Sequence, residues 1–275
     1  MVYIADYWKQ KEARAEKARK HTEEMGKLWR RFIDESIAKT VTYSTWFKCK
    51  KDLSDVDTHI AIEDMDSVSA ILKYEKPGNK MAVLNFASYK NPGGMFLNGS
   101  SAQEESLCHE SYLYNVLSEC SDFYKWNNDH KFKALYANRA LYSPNIVFSR
   151  PIVPRPEVTE DSKVNTEDWT LCDVITCAAP NKSAAQKYGN VPDAINSDSL
   201  YSRIEFVLDI AKEQEVKTLI LGAYGCGVFG QDPTEVASYF KTLLFSKYKC
   251  FDTVVFAIPN GNNGNLAAFK KVFDN

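Results

Sequence analysis

A mainly parallel α/β sheet covered on both faces by helices is the fold this sequence predicts. Three observations carry that prediction. Short, continuously apolar runs read as buried strands, stretches of helical spacing lie between them, and glycine-rich turns stand where strands end.

Residues 5 to about 38 are rich in Lys, Glu, Arg and Ala. From Met25 onward, Leu28, Trp29, Phe32 and Ile33 recur at helical spacing, which predicts a docked amphipathic helix with a solvated, more charged first half. MAVLNFA (81–87) reads as a buried strand and SLCHESYLYNVLSEC (106–120) as one helix, with another helix at 65–74. NIVFS (145–149) and CDVITCAA (172–179) are strands. A helix over about 200–215, a strand at 217–223, a helix at 233–247, a strand at 253–258 and a short helix near 265–273 complete the order. The Pro-rich, polar stretch 150–170 reads as a surface excursion. The division is a helical extension over 1–40 and one α/β domain over 41–275.

The 275 residues are 44% hydrophobic and 25% charged, with a net charge of -2. No global field favours DNA or an anionic membrane, so an anionic ligand must be held by local groups. Seven cysteines, an odd count with no CxxC pair, predict reduced thiols. The amino terminus lacks an apolar h-region and no apolar run is long enough to span a membrane, so a cytoplasmic protein is expected. His21, His59, His109 and His130 lack metal-ligand spacing, so no metal is expected.

In LILGAYGCGVFGQDPTEVASYF (218–239), a buried strand ends at Gly222, followed by Gly225, Gly227 and Gly230 and a helix opening near Pro233 with Asp232 as N-cap. Such a loop can turn successive N–H groups toward an anion, as a phosphate-binding nest does. The letters also satisfy GxGxxG. A dinucleotide-binding Rossmann unit is disfavoured because the loop lies late in the chain and the next strand ends in Ala257-Ile258-Pro259-Asn260, without an acid for a ribose.

The other informative stretch is NPGGMFLNGSSAQEESLCHESYLY (91–114). Alone, Ser101 to Glu104 reads as a capping box in which Ser101 caps the helix and Glu104 reaches back. That reading explains neither Gln103 nor Glu105. Gly93-Gly94-Met95 followed after seven residues by Gln103-Glu104-Glu105 resembles the signature of the microbial type of poly(ADP-ribose) glycohydrolase, a relative of macrodomains. LNFASYKNPGG, LYSPNIVFSR, CDVITCAAPN and LGAYGCGVFGQDP resemble that family's ordered segments over most of the chain.

The resemblance implies a macrodomain-like three-layer αβα sandwich with a mixed, mainly parallel sheet and an N-terminal helical extension. It implies ADP-ribose or poly(ADP-ribose) on modified proteins as partner, no cofactor, and hydrolysis of the ribose–ribose bond. Glu105 is then the catalytic acid. Glu104 and Gln103 organise the distal ribose, with Asn85 and the backbone of Gly93, Gly94 and Met95 beside it. Gly225, Cys226, Gly227, Val228 and Gly230 wrap the diphosphate, and Phe229 packs on the distal ribose. Breaking an acetal C–O bond needs a proton for the leaving oxygen and stabilisation of an oxocarbenium-like centre. Adjacent glutamates cannot flank the bond, so they should have separate tasks, and Glu105 should need a raised pKa.

Met95 replaces the family's third glycine and is expected to crowd the ribose; Ser88 replaces an Asn. Both departures keep open a non-catalytic ADP-ribose-binding module or a mono-ADP-ribosyl hydrolase. Cys108-His109-Glu110 cannot form a relay along one helix and is structural. Tyr89 and Tyr224 are candidates for stacking or for the core. Glu63 and Asp64 are candidates for adenine.

Overall fold

The computed structural model describes residues 2–149, 169–261 and 263–274, with side chains from Asp6 onward. Among these, the strands are β1 (Val41–Tyr43), β2 (His59–Glu63), β3 (Met81–Phe86), β4 (Ala140–Phe148), β5 (Thr170–Cys177), β6 (Thr218–Leu221) and β7 (Thr253–Ala257). They form one sheet in the order β1-β4-β5-β3-β6-β7-β2. From β5 to β2 every pairing is parallel, and β4 and β1 add antiparallel strands at one edge.

The helices are α1 (Val2–Leu28), α2 (Arg30–Lys39), α3 (Ser67–Tyr74), α4 (Gln103–His109), α5 (Leu113–Leu117), α6 (Ser121–Asp129), α7 (Lys182–Gly189), α8 (Asp193–Glu213), α9 (Pro233–Ser246) and α10 (Asn265–Asp274). Strand β3 shows how the layers form. Successive side chains of a strand point to opposite faces, and here both faces are buried. Ala82 and Leu84 pack with Leu200 of α8, Phe240 of α9 and Phe269 of α10. Val83 packs with Ile71 of α3, Leu107 of α4 and Leu113 of α5. The result is a three-layer αβα sandwich.

The first half of α1 is docked rather than solvated. Ala15, Ala18, His21 and Met25 make a buried stripe at helical spacing. Arg14 donates to the Gly99 carbonyl at 2.8 Å, and His21 Nε2 bonds the Ser111 carbonyl at 2.8 Å. The helix thus braces the loop that leads into α4.

Two expectations change. The single helix over 106–120 is α4 and α5, parted at Glu110–Tyr112, where Ser111 Oγ bonds the Leu107 carbonyl and Ser111 bridges Phe148 of β4. Edge strands β1 and β2 were not anticipated because their side chains are mostly exposed or half-buried. The stretch 150–168, which includes almost all of the expected surface excursion, lies outside the described residues. All seven cysteines are free thiols. No helix among the described residues is long and apolar enough to cross a membrane.

Candidate active site

The site lies at the carboxyl ends of β3, β6 and β7, the edge where open α/β sheets receive ligands. A cavity of about 340 Å³ is lined by Asp66, Ser67, Gln103, Ile258 and Asn263, among others. A second, of about 240 Å³, lies between Gln103 and Gly225, Gly227, Val228 and Phe229. Phe86, Ala102, Gln103 and Ala223 line both, so the two form one cleft.

Glu104 and Glu105 open α4 and are 3% and 5% exposed, rare burial for carboxylates. Each is held by backbone. Ser88 N donates to Glu104 Oε2 at 2.7 Å, and Asn85 Nδ2 to its Oε1 at 3.2 Å. Met95 N donates to Glu105 Oε1 at 2.9 Å, and Ala102 N to Glu105 Oε2 at 3.0 Å. Only half of the expected capping box forms, one residue later: Ala102 is the N-cap, its methyl side chain accepts nothing, and Glu105, not Glu104, reaches back to its N–H. Burial pushes the Glu104 carboxyl up to about 8, reinforced by the neighbouring Glu105 charge and opposed by the Ser88 and Asn85 hydrogen bonds.

The glycines before α4 lie against these acids. Gly94 has φ +63°, and a Cβ on it would fall 2.6 Å from Glu105 Oε1 and 2.9 Å from Glu104 Oε2. Glycine there lets the loop cover both carboxylates. Gly93 is packed in the same way against Tyr114. Met95 is unlike them. Its φ is -109°, its side chain is 44% exposed, and its sulfur lies 3.9 Å from Asn98 Nδ2. It lines neither cavity.

Gln103 spends its amide inside the protein. Its Oε1 accepts from Phe86 N at 2.9 Å, and its Nε2 donates to the Leu84 carbonyl and Ser67 Oγ. It ties α4 to β3 and α3 while forming the floor of the cleft. Asn85 is fully buried, and its Oδ1 has no partner among the described residues. Ser88 Oγ accepts from Asn91 N at 3.2 Å, the turn-forming task that Asn also performs.

The loop after β6 is open. Asp232 caps α9 through Glu235 N at 2.9 Å, with Pro233 in the first turn. Gly230 N and Gln231 N bond back onto Gly227 and Gly225. Among the described residues, the N–H groups of Gly225, Gly227, Val228 and Phe229 donate no hydrogen bond. Val228 is 88% exposed, and a Cβ on Gly227 would meet nothing within 4 Å. Four free donors on one short loop are what an anion nest requires. Burial pushes the Cys226 thiol up to about 12, so it is no nucleophile.

Several sequence candidates lie elsewhere. Glu63 binds Lys73 and Tyr74, and Asp64 accepts from Asn260 N; neither lines the cleft. Asp66, which does, was missed, although its capping of α3 through Ser69 N was a readable signal. Tyr89 is a core residue whose hydroxyl bonds the His130 carbonyl, whereas Tyr224, buried and bonded through its hydroxyl to the Cys177 carbonyl, also lines the second cavity. Cys108 is fully buried, and His109 packs edge-on against Phe96, its pKa pushed down to about 4 by burial.

A family model described as the catalytic domain of microbial-type poly(ADP-ribose) glycohydrolase matches residues 10–151, more than half of the chain. The chain belongs to this family. Glu104, Glu105 and the glycines before them all fall within the matched part. No curated protein matches. Among solved structures, poly(ADP-ribose) glycohydrolase from Thermomonospora curvata is 28% identical with a TM-score of 0.81, covering 95% of this chain and 100% of that one. The same enzyme bound to the inhibitor ADP-HPD is 27% identical with a TM-score of 0.77, over 94% and 99%. The glycohydrolase from Deinococcus radiodurans in complex with ADP-ribose is 28% identical with a TM-score of 0.77, over 88% and 96%.

Proposed function

We propose that the protein hydrolyses the ribose–ribose O-glycosidic bond of poly(ADP-ribose) and releases ADP-ribose, on a macrodomain-like scaffold. The observations that carry this reading are two buried glutamates at the start of α4, tied to the end of β3, and a loop lining the neighbouring cleft whose N–H groups are unused. An anionic nucleotide with a sugar at its far end fits both.

In this assignment the N–H groups of Gly225 and Gly227 to Phe229 take the diphosphate. The cavity beside Asp66, Ser67 and Asn263 takes the adenosine, and Phe229 and Gly94 close on the distal ribose. Asn85 and Glu104 hold the ribose hydroxyls. With a pKa near 8, Glu104 carries a proton at neutral pH, so it can donate to a sugar hydroxyl as well as accept. Gln103 acts through position, because its amide is already engaged.

Glu105 delivers its proton to the leaving ribose oxygen as the anomeric C–O bond breaks. Its carboxylate then takes a proton from the water that adds to the anomeric carbon, so the acid is restored and one water is consumed. The two N–H bonds to Glu105 fix the carboxyl plane and leave lone pairs for the substrate. The diphosphate charge favours the cationic transition state. Incubation with poly(ADP-ribose) should release free ADP-ribose, and Glu105→Gln should abolish that release. An inactive wild type that binds ADP-ribose would make it a binding module.

A further inference from the structure

A third cavity, of about 430 Å³, lies outside the cleft described above. It is formed by the turn after α6 together with α8 and Thr45. The turn is unusual. Phe132, Lys133, Ala134 and Tyr136 have φ of 46°, 53°, 65° and 63°, left-handed backbone that bulky residues adopt rarely. The surrounding structure enforces it. Asn181 N bonds the Ala134 carbonyl at 2.9 Å, and buried Arg203 reaches the Leu135 carbonyl at 3.3 Å and Asn138 at 2.7 Å. Backbone held in such a state clusters where a side chain must be presented to a ligand.

What the turn presents is aromatic. Phe132 is 54% exposed at the cavity wall, Tyr136 forms its inner side, and Trp46, next to Thr45, is 91% exposed. Tyr136 is also the partition between this cavity and the catalytic cleft, its ring 6.2 Å from that of Phe229 and stacked at 4.2 Å on Tyr89. The remaining lining includes Ser199, Ser202, Asp198 and Arg203. Arg203 is 1% exposed and has each of its nitrogens bonded, the third to the Ala178 carbonyl, so it offers nothing to a phosphate.

We propose that this cavity is a binding site for the nucleoside on the leaving side of the scissile bond. The inference rests on the glycohydrolase reading. In the polymer, the oxygen that departs from the anomeric carbon belongs to the ribose of the neighbouring unit's adenosine. A purine is therefore attached directly to the leaving sugar, and it must come to rest within a ring or two of Phe229. The cavity beyond Tyr136 offers flat aromatic surface for the base, and hydroxyls and a carboxylate for its amine and the sugar. Exposed Lys131 and Lys133 flank the turn, where the neighbour's own diphosphate would pass. Stacking on an aromatic side chain strengthens binding of a base severalfold to about a hundredfold.

The test compares two leaving groups on the same enzyme. One is poly(ADP-ribose); the other is an ADP-ribose whose anomeric oxygen carries only a nitrophenyl group. Phe132→Ala should raise KM for the polymer about tenfold while changing nitrophenol release and ADP-ribose affinity less than twofold. Phe132→Tyr should restore the polymer KM. Trp46→Ala, at a position 91% exposed, should shift polymer KM in the same direction. Equal loss on both substrates, or no loss on either, would overturn the site while leaving the glycohydrolase reading intact. A wild type that releases no ADP-ribose from polymer would remove that reading, and this site with it.

Discussion

The two glycine loops of the cleft are built on opposite plans. In the loop from Asn91 to Glu105, glycine makes room for protein: Gly94 is pressed onto two carboxylates and Gly93 onto Tyr114, and Met95 N and Ala102 N are spent on Glu105. In the loop from Gly222 to Gly230, Gly227 faces open space and a run of N–H groups is unspent. One loop is complete in the free protein; under the proposed function the other is completed by substrate. The first kind of loop fixes a reacting group before substrate arrives, whereas the second reserves hydrogen-bonding capacity for the ligand. Substitutions in the first should therefore disturb the free protein, and those in the second only its ligand affinity.

The sharpest separation is within the first loop. Glu105→Gln should lower ADP-ribose release about 10²–10⁴-fold, the usual contribution of general acid–base catalysis. ADP-ribose affinity should change by only a few fold. More than a tenth of wild-type activity would remove Glu105 from the acid's role.

Gly94→Ala should come next, costing about 2–4 kcal/mol of stability, since it combines a left-handed φ with a Cβ inside both carboxylates. Thermal denaturation without ligand measures this. A melting temperature equal to wild type would mean that the loop is looser than its contacts indicate.

Glu104 provides a pH signature for the same loop. Its folded pKa, about 8, lies above the ordinary 4.5. Between those values the folded chain binds the proton that the unfolded chain has lost, so stability falls as pH rises. The favourable contribution is whole below pH 4.5 and gone above about 8, a window worth a few kcal/mol. Denaturant unfolding across that range should show the slope, and Glu104→Gln should flatten it. Parallel curves would assign the slope to other groups.

For the second loop, Gly227→Val should leave the melting temperature unchanged and weaken ADP-ribose about tenfold, by placing methyl groups over the free N–H donors. Unchanged affinity by calorimetry would take this loop out of the ligand site.

How much of this was legible follows from burial. The parallel strands β3, β5, β6 and β7 are apolar along both faces and stood out at once. β2 meets a neighbour on one side only and is half-exposed, so HIAIE carried little signal. The helix break at Glu110–Tyr112 depends on Ser111 finding Leu107 and Phe148, a tertiary fact. At the site, the motif located Glu104 and Glu105, but a spacing rule cannot show which of them caps α4 or that Gln103 is consumed by β3. The turn at Phe132–Tyr136 was invisible because it contains no glycine, the residue by which left-handed backbone is ordinarily recognised.

Met95 sharpens the contrast at its weakest point. From sequence, a bulky residue where the family has a third glycine should crowd the ribose, and Met95→Gly should raise turnover. The geometry argues otherwise. A φ of -109° is open to any residue, and the side chain leans toward Asn98. What position 95 supplies to the site is its N–H, donated to Glu105 at 2.9 Å, and glycine supplies the same group. Met95→Gly should therefore change turnover on polymer and ADP-ribose affinity less than about threefold, with a cost of up to about 1 kcal/mol from the added freedom of the unfolded chain. A tenfold rise in turnover would show that the thioether swings over the ribose when substrate is bound, and the first loop would then be less complete than its hydrogen bonds make it.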